Sequence, residues 1–198
     1  YMKSKTVTIT LALALLAIPL CGQETRLNSA ALNSLQSDDE AARTRAVQEI
    51  LHDQSAAVEQ VSAIVRKYAS DPAKKGTVKS SMELLGKLRA KDAVPLLVDN
   101  LTFAVFYKNT KALQTADTLY PAVSALIEIG MPAIEPVLAR VEASSADADL
   151  QAGAAVLRGV LGAELAAERL RIETAKASSD PARARLTQMA EMLREKGR

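Results

Sequence analysis

The sequence predicts an all-α chain, an α-solenoid of about four helical hairpins stacked in order and closed by terminal capping helices. Three observations carry this expectation. The first is a repeat. The stretch ELLGKLRAKDAVPLL (residues 83–97) returns as SALIEIGMPAIEPVL (residues 124–138), with Leu85 to Leu126 and Leu88 to Ile129 offset by 41 and Ala93 to Ala133, Val94 to Ile134 and Leu97 to Val137 offset by 40. One residue is lost in the turn between the two halves. A period of this size, built as helix, short turn, helix, marks stacked helical hairpins. The second observation is that apolar residues recur at spacings of 3 and 4 in segment after segment, while none alternates with the period of a strand. The third is a series of helix starts, Ser37-Asp38-Asp39-Glu40, Asp71-Pro72, Asp92 and Ser178-Ser179-Asp180-Pro181, each offering a capping acceptor and several a proline in the first turn.

The elements follow in chain order. Residues 1–22 read as a leader outside the fold. Lys3 and Lys5 give a positive start, Val7 to Leu20 is apolar apart from Thr8 and Thr10, and small residues close the run. That pattern is an export signal, too short to span about 30 Å of hydrocarbon. Cys21, the single cysteine, stands where a lipoprotein carries its lipidated first residue. Leu20 occupies the place where such signals want a small residue, so a soluble exported form is an equal expectation. Either form is exported, periplasmic or lipid-anchored in the envelope, and Cys21 is the only expected link to a membrane. Residues 23–36, with Leu27, Leu32 and Leu35, form an N-terminal cap segment covering the first repeat, because the end of a stack otherwise leaves an apolar face wet.

Residues 37–198 form the repeat domain. Ala42, Ala46, Val47, Ile50 and Leu51 make one helical face, and Val58, Val61, Ile64, Val65 and Tyr68 a second; together these are the first hairpin. The second hairpin pairs the face of Val78, Met82, Leu85 and Leu88 with that of Ala93, Val94, Leu97, Val98 and Leu101, and Asp92 is expected to cap its second helix. Residues 104–120 interrupt the spacing. The third hairpin runs from Pro121 to Ile129 and from Ala133 to Val141, with Pro136 in a first turn, where it is tolerated. Leu150, Ala154, Leu157, Val160 and Leu161 begin the fourth, answered by Leu165, Ala166, Leu170 and Ala177. Leu186, Met189, Ala190 and Leu193 make a final helix. Leu85, Leu97, Leu126, Leu138 and Leu157 are the expected core.

The pieces LGKLRAKDAVPLL (85–97), ALIEIG (125–130) and GAAVLRGVLG (153–162) resemble HEAT repeats, closest to the short bacterial variety with an ALGxxGxxxAVPxL core. The resemblance covers roughly residues 37–198. The third hairpin departs from it with Ile127 where glycine is usual, and the fourth lacks the proline. Such a resemblance implies an α-solenoid used for protein contacts, and is silent on activity.

Composition narrows the chemistry. Without Lys3 and Lys5, the 25 basic and 23 acidic residues of the chain become 23 of each. A neutral chain with no Trp and few aromatics has neither the basic excess nor the stacking surface of a nucleic-acid binder. His52, the single histidine, sits where a helix C-terminus favours it. Glu40, Glu49, Glu128 and Glu135 read as solvated faces. No GxSxG turn and no glycine-rich phosphate loop is present, so no catalytic residue, metal ligand or cofactor is expected.

Binding is what remains. Asp99, Asn100 and Arg140 fall on the polar side of the second helices, the side that commonly lines the concave surface of such stacks. Phe103, Phe106 and Tyr107 concentrate the aromatics at the interruption, where they either fill a wedge between hairpins or form an exposed recognition spot. Asp99, Asn100, Phe106, Tyr107 and Arg140 are therefore the expected partner-binding residues. The expected function is a non-catalytic protein–protein interaction scaffold of the bacterial cell envelope. The alternative is a regulatory or accessory subunit of an envelope enzyme complex.

Overall fold

The computed structural model describes residues 29–52, 57–105 and 115–195, and every regular element among them is helical. In order they are α1 (Ser29–Leu35), α2 (Glu40–His52), α3 (Ala57–Tyr68), α4 (Lys75–Lys87), α5 (Val94–Asp99), α6 (Ala116–Leu119), α7 (Pro121–Ile129), α8 (Ile134–Ala143), α9 (Asp147–Leu161), α10 (Ala163–Lys176) and α11 (Asp180–Glu195). Short 3-10 turns, Pro72–Lys74, Lys91–Ala93 and Met131–Ala133, lead into α4, α5 and α8. All five expected core leucines are buried: Leu85, Leu97, Leu126, Leu138 and Leu157.

Local chemistry explains most of the starts. The Asp39 carboxylate accepts the Ala41 N–H at 3.0 Å, opening α2. Asp71 accepts the Ala73 N–H at 2.9 Å, with Pro72 next to it. Ser179 Oγ accepts the Ala182 N–H at 3.3 Å at the head of α11. Each satisfies a donor that the first turn would otherwise leave open. Asp92 differs from expectation. It caps nothing and lies exposed inside the turn before α5, which opens instead on the Ala90 carbonyl, accepting the Ala93 N–H at 3.0 Å. The Gly130 carbonyl accepts the Ala133 N–H at 2.9 Å in the same way. Backbone geometry, rather than a side chain, starts both second helices.

The repeat returns as a pattern of exposure. Ala93, Val94, Leu97, Val98 and Leu101 are buried, and so are Ala133, Ile134, Val137, Leu138 and Val141. Lys91, Asp92, Pro95 and Asp99 are exposed, and so are Met131, Pro132, Glu135 and Ala139. The residue lost between the halves is in the turn after the first helix. Helix α4 closes with Arg89 at φ 48°, its N–H donating to the Gly86 carbonyl at 2.7 Å and the Ala90 N–H to Leu85 at 3.1 Å. This pair of bonds is a Schellman motif. Helix α7 closes one residue sooner on Gly130, at φ 84° and ψ −139°.

The principal contacts join neighbours in the chain and helices two or three elements apart alike. Helices α2, α4, α7 and α9 form a row in which each lies against its successor, while α5 lies on α8 and α8 on α11. Helix α1 covers α2 and α4, and places Leu35 in the core. Two details depart from the sequence reading. Helix α3 packs chiefly on α4, and α2 on α1 and α4; none of the expected pairs α2–α3, α4–α5 and α7–α8 is among the principal helix–helix contacts of the described residues, whereas α9–α10 is. Leu165 is 64% exposed, because α10 turns Ala166 and Leu170 inward and position 165 lies about 100° away from 166 around the helix.

The row is tight where small residues allow it. A Cβ placed on Gly86 of α4 would stand 2.6 Å from the Cα of Ala125 on α7. At the next contact Ile127 takes the position equivalent to Gly86, and α9 answers with Gly159, where a Cβ would meet the Ile127 side chain at 2.6 Å.

Candidate functional site

The face built by α5 and α8 carries the polar residues of the second helices. Asp99 ends α5 and is exposed. Asn100, the next residue, is half-buried, and its amide Nδ2 donates to the Leu96 carbonyl at 2.8 Å. That bond satisfies a carbonyl which the helix end leaves open. Asn100 therefore spends one donor on its own helix and presents the rest of its amide beside Asp99.

Arg140 occupies the position 40 residues on, equivalent to Asn100. Its Nε donates to Asp149 Oδ2 at 3.1 Å, and the two side chains are 41% and 2% exposed. Asp149 lies in the first turn of α9, where the helix dipole favours an acid. A buried carboxylate costs several kcal/mol unless a charge and hydrogen bonds compensate it. Arg140 supplies that charge through Oδ2, while Oδ1 has no hydrogen-bond partner among the described residues. Arg140 thus joins α8 to α9 as well as facing solvent.

Further ion pairs continue toward the C-terminal helices. Glu135 of α8 pairs with Arg169 of α10, whose Nε lies 3.1 Å from Glu173, which also takes Lys176 at 3.1 Å. Arg185 of α11 reaches back to the Ala146 carbonyl and to Asp147. Acids whose titration is displaced lie elsewhere. The Lys74 ammonium, 2.8 Å away, holds the Asp38 carboxyl below its ordinary value, and Arg171 does the same for Glu168. Both are exposed surface pairs, worth little to stability.

Phe106, Tyr107 and Cys21 lie outside the described residues. The Val105 N–H donates to the Leu119 carbonyl at 3.1 Å. Phe103 is half-buried against the core. The structure therefore brings Asp99 and Asn100 together on one helix end and ties Arg140 to an acid that sequence reasoning missed. Asp149 carries only a faint signal, an acid two residues into a helix and flanked by Ala148 and Leu150; nothing in the sequence says that it faces inward.

Among the described residues no group of three or more His, Cys, Asp or Glu side chains converges as a metal site. No helix among them is long and apolar enough to cross a membrane. Comparison with protein families, with curated proteins and with solved structures gives no match for this chain.

Proposed function

We propose that this chain is a non-catalytic protein-binding scaffold of the bacterial cell envelope, built as an α-solenoid of HEAT-like hairpins and exported by its first 22 residues. The observation that carries the reading is the matched exposure of residues 91–101 and 131–141. Two segments with different surface residues keep the same inward positions, as repeats do when each stacks on its neighbour. Selection for stacking fixes the inward face and leaves the outward one free to vary, which is where recognition residues belong. Asp99, Asn100, Phe106, Tyr107 and Arg140 are the proposed partner-binding residues, and the partner is a protein.

Crosslinking of the full chain in an envelope extract, followed by mass spectrometry, tests this. A recurrent partner whose crosslinks fall on the α5–α8 side, and whose yield drops in Asp99→Arg and Tyr107→Ala variants of unchanged melting temperature, supports the scaffold. A recurrent partner that is an enzyme whose rate changes on addition of the chain moves the reading to an accessory subunit. Crosslinks confined to other surfaces, or none that recur, refute the proposed face.

A further inference from the structure

Three successive helices of the packed row end on a residue with positive φ, and the residues differ. Helix α7 ends on Gly130 at φ 84° and α9 on Gly162 at φ 80°, whereas α4 ends on Arg89 at φ 48°. With ψ −139° and 163°, Gly130 and Gly162 occupy a region open essentially to glycine alone, and Arg89 shares their positive φ, which costs an L-residue with a Cβ. Arg89 is the one residue other than glycine with positive φ among the described residues. The backbone at this turn asks for glycine and holds an arginine.

The side chain itself has no internal task. Arg89 is exposed, as are Lys87 and Lys91 on either side of it. None of the three side chains has an ion pair or hydrogen bond among the described residues. Most other arginines of the later helices do: Arg140, Arg169, Arg171, Arg183 and Arg185 are each paired with an acid. Helix-end electrostatics accounts for Lys87, in the last turn of α4, but not for a strained arginine just past that end. Local strain kept at an exposed charged side chain is how a recognition residue looks.

We infer that the turn from α4 to α5 is a recognition site for an acidic segment of a protein partner, with Arg89 as the anchor and Lys87 and Lys91 beside it. The guanidinium fork matches a carboxylate in two parallel hydrogen bonds, which a lysine cannot do. The immediate surroundings select among anions. Asp92 is exposed next to Lys91, and the Glu128 carboxylate comes within 3.2 Å of where a Cβ on Gly86 would stand. A uniformly anionic surface, such as a lipid bilayer or nucleic acid, would be repelled by these two acids. A peptide with spaced carboxylates can place them on the cations and avoid the acids. This inference rests on the protein-binding reading above and gives it a second contact point, at the tip of a repeat rather than along its second helices.

The test uses the full chain and a dye-labelled peptide in which single glutamates are separated by pairs of serines, followed by fluorescence anisotropy at low salt. Wild type should bind it, and Arg89→Gly should bind at least about fivefold more weakly while melting no lower than wild type. Lys87→Ala and Lys91→Ala should each weaken binding less than Arg89→Gly. Arg171→Ala, which removes the same charge from an exposed pair on α10, should leave binding unchanged. Equal losses in Arg89→Gly and Arg171→Ala would show attraction to net charge alone and overturn the inference. So would absence of binding in wild type, or binding to phosphatidylglycerol vesicles as tight as to the peptide. Failure here with envelope crosslinks still on the α5–α8 side removes this site and leaves the scaffold reading standing.

Discussion

Replacing Gly86 by Ala should destabilise the protein, although alanine is the better helix former. Gly86 lies in the last turn of α4, so the gain in helix propensity is at most about 1 kcal/mol. Against it stands contact with backbone. The new Cβ would lie 2.6 Å from Ala125 Cα and 3.1 Å from Ala125 Cβ, where carbon atoms prefer about 3.5–4.0 Å. No rotamer relieves a contact with a Cα, so α4 and α7 must move apart by about 1 Å. A gap of that size forfeits a quarter to a half of the dispersion between facing atoms. The facing residues, Met82 and Leu85 on α4 and Ala122 and Leu126 on α7, are all fully buried. Overpacking of this kind costs about 1–3 kcal/mol. The net expectation is a loss of about 2 kcal/mol, or a melting temperature lower by about 4–8 °C for a chain of this size. Gly76→Ala, the same change in the same helix, is the internal control. Its Cβ would meet only the end of the Arg43 side chain, at 2.9 Å, which can shift by giving up its hydrogen bond to the Ser37 carbonyl, a loss that offsets the gain in helix propensity. That variant should stay within about 0.5 kcal/mol of wild type, as surface changes do. Urea unfolding of both variants decides the matter. Equal stabilities for the two, or a Gly86→Ala protein more stable than wild type, would refute the close approach of α4 and α7.

Other expectations follow from the same packing. Leu126→Ala, at a fully buried position, should lower stability by about 2–5 kcal/mol in urea unfolding. Arg140→Ala should cost about 2–3 kcal/mol, less than for a wholly buried pair because its side chain is 41% exposed, and Asp149→Asn in the same chain should restore a large part of the loss. Additive losses in that double-mutant cycle would show that the pair does not couple α8 to α9. Gly130→Ala meets no atom within 4 Å, so any loss, expected at about 1–3 kcal/mol, comes from backbone conformation alone. Arg89→Gly should be neutral to stabilising, by up to about 1 kcal/mol in thermal melts, since it relieves an L-residue of positive φ.

Much of the helical architecture is determined by sequence alone. The spacing of Leu85, Leu97, Leu126, Leu138 and Leu157 identifies residues that are buried, because a helix carries its apolar face at fixed steps of 3 and 4 whatever it packs against. The offset of 41 that becomes 40 locates the turn in which Arg89 and Ala90 are answered by Gly130 alone. Asp71, read as a start, caps one, since capping is a bond between neighbours in the chain. What fails to show in sequence depends on contacts between distant residues. Asp92 looks like a cap, yet the Ala90 carbonyl opens the turn. Leu165 looks like core, but the rotation of α10 is set by what α9 and α11 offer it, and it emerges exposed. Ile127 looks like a departure from the repeat until Gly159, on the next helix of the row, is found to make room for it. Arg140 looks like a free surface charge, and only folding brings Asp149 beneath it. Periodicity and capping are properties of a chain segment and can be read along it. Complementarity of size and charge belongs to pairs of residues far apart in sequence, and tertiary structure alone decides which pairs meet.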